Sequence, residues 1–176
     1  MFTPPTRSKE PSDYLTVPLR IALGLSILFP VADRLGILRP PSTAGVTWGN
    51  FANFLRYNAQ VNSFLPAAIR PILGVTATVL ESLFGISLFL GVCTPLAAAG
   101  AGGLLLLFGT AMAISLGIKS PFDYSVFSAM GGALLLAAWG VYPLSADSLF
   151  EQVMRYRRAK RALLCDRDAC RKEDIV

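Results

Sequence analysis

A carboxylate in the middle of an apolar stretch is the first residue that asks for chemistry. Glu81 interrupts an otherwise uncharged run from about Ile72 to Val92. An ionised group at the centre of a membrane helix costs at least ~2.5 kcal/mol even on lenient insertion scales. Such a side chain turns toward protein and is either paired or protonated. Arg20, near the start of another apolar stretch, is the partner that depth selects. Their backbones differ in height by roughly 9 Å at 1.5 Å per residue, which two leaning side chains can bridge. Glu81 also reads as a polar anchor or proton site for a ligand between helices, and the two readings are compatible. A second group, Asp33, Arg34, Lys119, Asp123 and Tyr124, stands at the ends of apolar stretches. Charges there often only reach toward water along their own stems. The topology nevertheless collects them at one mouth, and an apolar cleft with a few convergent polar groups is where a small amphipathic ligand binds.

Other chemistry is excluded by absence. The 176 residues include no histidine, so the commonest general base, metal ligand and haem ligand is missing. Of the cysteines, Cys93 stands alone, while Cys165 and Cys170 share the C-terminal tail with four residues between them. A membrane thiol oxidoreductase of the vitamin K epoxide reductase type needs a C-x-x-C pair in a span, and none is present. A zinc site would need further ligands. With no flavin or dinucleotide motif either, no haem, metal or flavin is expected on this chain. Redox chemistry would require a bound quinone or a partner that carries the cofactor.

The elements that must position these residues follow from composition. Hydrophobic residues make up 53% and charged residues 15%, against about 25% charged in a soluble domain; mean hydropathy is +0.54. A disordered chain, a nucleic-acid-binding basic globule and an ordinary soluble enzyme are thereby excluded. Four stretches approach the ~20 residues that cross a bilayer: about 15–35, 72–92, 96–118 and 124–142. The first is too long and starts too late for a cleaved signal peptide. The expected fold is all-α, an integral membrane four-helix bundle over 15–142. It lies between an N-terminal cytoplasmic tail, 1–14, and a basic cytoplasmic tail, 143–176. Four crossings put both termini on one side. Eleven of the 16 Lys and Arg fall on that side, which makes it cytoplasmic.

The outer loop, 36–71, opens with Gly36, Pro40, Pro41 and Gly45 and then shows helical periodicity over about 48–65. An amphipathic interfacial helix is expected there, anchored by Trp48, with Trp139 and Tyr142 as belt residues at the end of the fourth span. Small residues four apart should let helices approach closely: Ala97 with Ala101, Gly102 and Gly103 with their own partners, Gly109 with Ala113, Ser128 with Gly132, and Ala129 with Ala133. In the tail, Ser148 and Glu151 suggest a capping box. The following arginines form either a helix on anionic lipids or a solvated positive tail.

On these residues the chain resembles the DoxX/DoxD family of small four-span membrane proteins. The likeness rests on LRIALGLSILF with Arg20, on LESLFGISLFLGVCTPLAA with Glu81, and on GIKSPFDYSVF entering the fourth span. It covers about residues 17–142. Where many members end the first span with glycine and then lysine or histidine, this chain reads VADRLGIL. The resemblance implies a subunit of a respiratory redox assembly in a bacterial or archaeal plasma membrane, with quinone as the possible ligand of the charged residues above. A purely structural accessory subunit and a small-solute transport component are the alternatives.

Overall fold

The computed structural model describes residues 10–38, 44–150, 152–154 and 156–157, and among these every regular element is helical. A single-turn 3₁₀ segment, Pro11–Leu15, runs straight into α1, Thr16–Arg34. Then come α2, Phe51–Val61; α3, Arg70–Leu90; α4, Thr94–Leu116; the short α5, Lys119–Asp123; and α6, Val126–Trp139. Three helices are long and apolar enough to cross a membrane: Pro11–Arg34, Arg70–Leu90 and Thr94–Leu116, of 24, 21 and 23 residues. The chain thus has the make-up of a multi-pass membrane protein.

The fourth apolar stretch differs from expectation. Its helix has 14 residues, about 21 Å, against a hydrocarbon core of ~30 Å. Ser125 takes a left-handed backbone (φ 54°) before it and Gly140 (φ 80°) after it. Hydropathy registers neither break, because both residues are uncharged.

Leu23 and Ile27 of α1, Leu88 of α3, Ala97, Ala98 and Ala101 of α4, and Ala133 and Leu136 of α6 form one buried core. Small residues set the spacing, since lipid solvates leucine as well as a neighbouring helix does. A Cβ on Gly24 would lie 3.0 Å from the backbone nitrogen of Phe89 and 3.1 Å from the carbonyl of Gly85. The α1 and α3 backbones therefore touch. Between α4 and α6, Ala97 and Ala101 are buried, Gly102 lies against Leu134, and Gly109 lies under the Phe127 ring, with Ala113 half-buried beyond it. Three expected packing residues lie elsewhere. Gly103 opens onto the surface with nothing in reach, Ser128 is exposed, and Gly132 faces Leu19 of α1. The contact face of α6 runs through Phe127, Ala133 and Leu134, with Ala129 of the expected Ala129–Ala133 pair packed against the same core.

The end of the bundle opposite α2 is closed by the segment after α6. The Asp147 carboxylate accepts the backbone N–H of Cys93 (2.9 Å) and of Thr94 (3.1 Å), capping α4, while its own N–H donates to Gly91 (3.1 Å). Arg20 is buried here and donates to the Leu144 carbonyl at 3.0 Å. Gly91 ends α3 at φ 73°, and a side chain there would strike the Arg20 guanidinium. The expected belt residues Trp139 and Tyr142 are each tied to protein groups. The Trp139 indole donates to Asp13 at 2.9 Å, and the Tyr142 hydroxyl donates to the Leu136 carbonyl at 2.8 Å. That hydroxyl satisfies a carbonyl at the end of α6 that has no helical donor. The turn into the next helix is capped by Ser145, whose hydroxyl accepts the Ser148 N–H at 3.0 Å. The expected partner Glu151, the arginine stripe except Arg157, Cys165 and Cys170 lie outside the described residues.

Candidate functional site

Arg34 is the last residue of α1, and its side chain does not reach out to water. Helix side chains lean toward the N-terminus, which here carries the guanidinium back down along α3. Its Nη1 donates to Thr78 Oγ1 (3.1 Å) and approaches Glu81 Oε2 at 2.5 Å, and its Nε donates to the Pro30 carbonyl (3.2 Å). The Arg34 side chain is 4% exposed and that of Glu81 12%. Glu81 therefore pairs with Arg34. The pairing with Arg20 suggested by depth does not form, because interhelix register overrides it. Gly24 faces Gly85 and Phe89, Leu28 faces Gly85, Arg34 faces Thr78, and Arg20 sits opposite Gly91. Arg20 and Glu81 are thus about ten residues, or ~15 Å, apart along α3.

The other face of the guanidinium is covered by rings. Phe54 lies 4.1 Å and Trp48 5.3 Å from its central carbon, within the range of cation–π attraction. Trp48 is thereby turned inward, where a lipid-facing anchor was expected. Asp33 puts it there. One carboxylate oxygen accepts the N–H groups of Thr47 (2.9 Å) and Trp48 (3.0 Å), and the other accepts that of Gly49 (3.2 Å). Three successive backbone donors thus bind one buried carboxylate and fix the loop to the top of α1. Gly36, at φ 71°, lets the chain pass: a Cβ there would lie 3.1 Å from the Gly49 carbonyl.

α2 then lies over the mouth. Asn50 accepts the Asn53 N–H at 2.8 Å, an N-cap that starts the helix at Phe51. Phe54, Asn58 and Val61 are buried, so the apolar stripe faces the bundle and not the lipid interface. Asn58 donates to the Arg70 carbonyl (2.7 Å), and Ser115 of α4 donates to the Val61 carbonyl (2.5 Å). Arg70 is used in the same joint, bonding the carbonyls of Leu65 and Ser63 at 2.9 Å each.

Between α1, α2, α3 and α4 these contacts enclose a cavity of about 530 Å³. Arg34 and Glu81 form its polar floor, Phe29, Leu105, Phe108 and Met112 its apolar walls, and Tyr57, Asn58 and Asn62 descend from α2. Such a volume suits a small organic ligand. Burial raises the Tyr57 phenol above its ordinary value near 10, and the neighbouring Tyr124 adds to that. Of the seven candidate site residues, Asp33, Arg34, Glu81 and Tyr124 meet at this cavity. Lys119 and Asp123 pair with each other on the exposed face of α5 at 2.5 Å, and Arg20 is at the far end of the bundle.

The sequence reading missed Tyr57, Asn58, Asn62 and the ring partners of Arg34. A signal was available in the recurring asparagines at 50, 53, 58 and 62, which share this amphipathic segment with Phe51, Phe54, Leu55 and Val61. Comparison with protein-family models, with curated proteins and with solved structures yields no match to this chain.

Proposed function

We propose that this chain is a multi-pass membrane protein that binds an amphipathic, quinone-like ligand in the cavity beneath α2. The observation that carries this reading is the buried Arg34–Glu81 pair at the floor of an otherwise aromatic and aliphatic chamber. A quinone offers carbonyl acceptors at opposite edges of an apolar ring. Arg34, the amide of Asn58, and the phenols of Tyr57 and Tyr124 are donors that border the same space. The chain would act as the quinone-binding subunit of a redox assembly, beside partners that supply the cofactor. The DoxX/DoxD resemblance over about residues 17–142 agrees with this assignment.

In this reading α6 completes a fourth crossing. Both termini and the basic tail then lie on the cytoplasmic side of a bacterial or archaeal plasma membrane, in contact with anionic lipids. The accessory-subunit reading draws support from Gly103 and Gly131, which open onto the surface with no neighbour in reach. Close approach by another membrane helix is possible at each.

The deciding experiment is native purification followed by solvent extraction. Quinone present in proportion to the protein, and lost from an Arg34→Gln variant that still purifies, is the expected result. Wild-type protein that carries no quinone and takes up none when reconstituted with it would leave the accessory role.

A further inference from the structure

We propose that the cavity is entered sideways from the bilayer, between α1 and α6, by an uncharged head group on a long hydrocarbon tail. This rests on the ligand-binding reading above and specifies the class of ligand and its route.

The argument begins with the register of two antiparallel helices. Gly132 of α6 faces Leu19, and Trp139 bonds Asp13. Counting back along α6, its first residue, Val126, stands level with about Ser26 of α1. α1 continues to Arg34, so its last two turns rise ~12 Å beyond the end of α6. Phe29, Pro30, Asp33 and Arg34 all lie in or beside that overhang, and all line the cavity.

The rim on this side is apolar and open. Phe29 is 56% exposed, Leu38 43% and Tyr124 71%, and each lines the cavity together with Val126. Above, the buried face of α2 and the loop clamped by Asp33 cover the chamber. Below, Leu23, Ile27, Leu88 and Ala101 are packed solid. The Arg34–Glu81 pair is therefore deep, and the rim is apolar apart from the Tyr124 phenol.

Charge balance defines the head group. Arg34 and Glu81 neutralise each other, and Asp33 is engaged by three backbone N–H groups. An anionic head would meet two carboxylates against one guanidinium, and a cationic head would have to compete for a carboxylate that three N–H groups already occupy, each at a desolvation cost. A neutral head with hydrogen-bond acceptors meets the donors already present. The chamber of about 530 Å³ holds a ring-sized head, and a long tail leaves over Phe29 and Val126 into lipid.

The test uses the full chain in nanodiscs and two probes: a tail-less dimethoxybenzoquinone and the same ring carrying a polyprenyl tail. Bound probe is read by redox-difference absorbance after pelleting, with empty nanodiscs subtracted to remove partitioning. Two variants narrow the rim from opposite sides, Val126→Trp and Phe29→Trp, so that failure of one to fold leaves the other. Both should weaken the tailed probe about tenfold or more beyond whatever loss the tail-less probe shows. Equal loss of both probes, or no loss of the tailed one, would overturn the lateral route while leaving the cavity as the site. Failure of the wild type to bind either probe would overturn the ligand-binding reading, and the route with it.

Discussion

Arg34 and Glu81 meet at 2.5 Å between the C-terminal end of α1 and the middle of α3, with Thr78 bonded to the same guanidinium nitrogen. The contact joins a helix terminus to a helix centre. Each charge has its opposite as the nearest group, and Phe54 and Trp48 screen the arginine from water.

Breaking that pair should be costly on either side. Removing one partner of a buried ion pair costs ~3–5 kcal/mol in soluble proteins, and less where the survivor can reach water. Glu81→Gln and Arg34→Gln should each lower stability by an amount of that order, and the double variant should recover much of it. The Arg20→Gln, Glu81→Gln pair should be additive, since Arg20 bonds Leu144 at the other end. Denaturant titration in mixed micelles measures all of these. A strong coupling between Arg20 and Glu81 would contradict the register described.

Asp33→Ala removes the acceptor of three backbone donors. Hydrogen bonds to a charged group are worth ~1.5–3 kcal/mol, and the loss should fall mainly on the loop that carries Trp48. We expect proteolytic cleavage within 44–49 to accelerate, and Trp48 emission to shift to the red. An Asp33→Ala protein with unchanged cleavage would show that the loop is held by other contacts.

Gly24 and Gly103 should respond oppositely to the same change. A methyl group on Gly24 meets the backbone of Phe89 and Gly85 at 3.0 and 3.1 Å, atoms that cannot step aside without moving a helix. Gly24→Ala should cost ~1–3 kcal/mol by overpacking. Gly103→Ala meets nothing within 4 Å and should be neutral or slightly stabilising through helix propensity. Thermal unfolding of the two variants, measured side by side, gives the comparison directly.

Alkaline pH should loosen α2. Burial raises the Tyr57 phenol above its usual value near 10, so the unfolded chain ionises first. The resulting stability is complete below about pH 10 and is lost as the pH rises through the folded-state value. Melting temperatures measured from pH 9 to 11.5 should fall more steeply for the wild type than for Tyr57→Phe. Parallel curves would remove Tyr57 from the transition.

Sidedness has a natural reporter. Cys93 is exposed at the turn between α3 and α4, the end that the proposed topology places in the cytoplasm. An impermeant maleimide should leave it unlabelled in intact cells and label it in inside-out vesicles. A cysteine introduced at Gln60, on the exposed face of α2, should show the reverse. Labelling of Cys93 from outside would invert the molecule.

The apolar helices were legible in the sequence because each is a long run with few charges, and Glu81 stood out against that background. Four of the seven proposed site residues do border one cavity. The partner of Glu81 was not legible. Depth within a span is a one-dimensional quantity, whereas pairing depends on the register that Gly24 and Gly85 impose between two helices. Arg34 looked like a terminal charge bound for water, and only the backward lean of helix side chains brings it inside. The extent of α6 was hidden for a related reason. Composition gives the length of an apolar stretch, but Ser125 and Gly140 set the length of the helix through their backbone angles.

That short helix gives the molecule two thicknesses. α4 spans 23 residues, or ~35 Å, while α6 spans 14, or ~21 Å. Lipid bordering α4 meets an apolar wall taller than a typical hydrocarbon core, and lipid beside α6 meets one well below it. Hydrophobic mismatch of opposite sign on two flanks favours a tilted bundle and a locally thinned leaflet along α6. The molecule would then gather in thinner regions of its membrane, with its lateral opening facing the most deformed lipid.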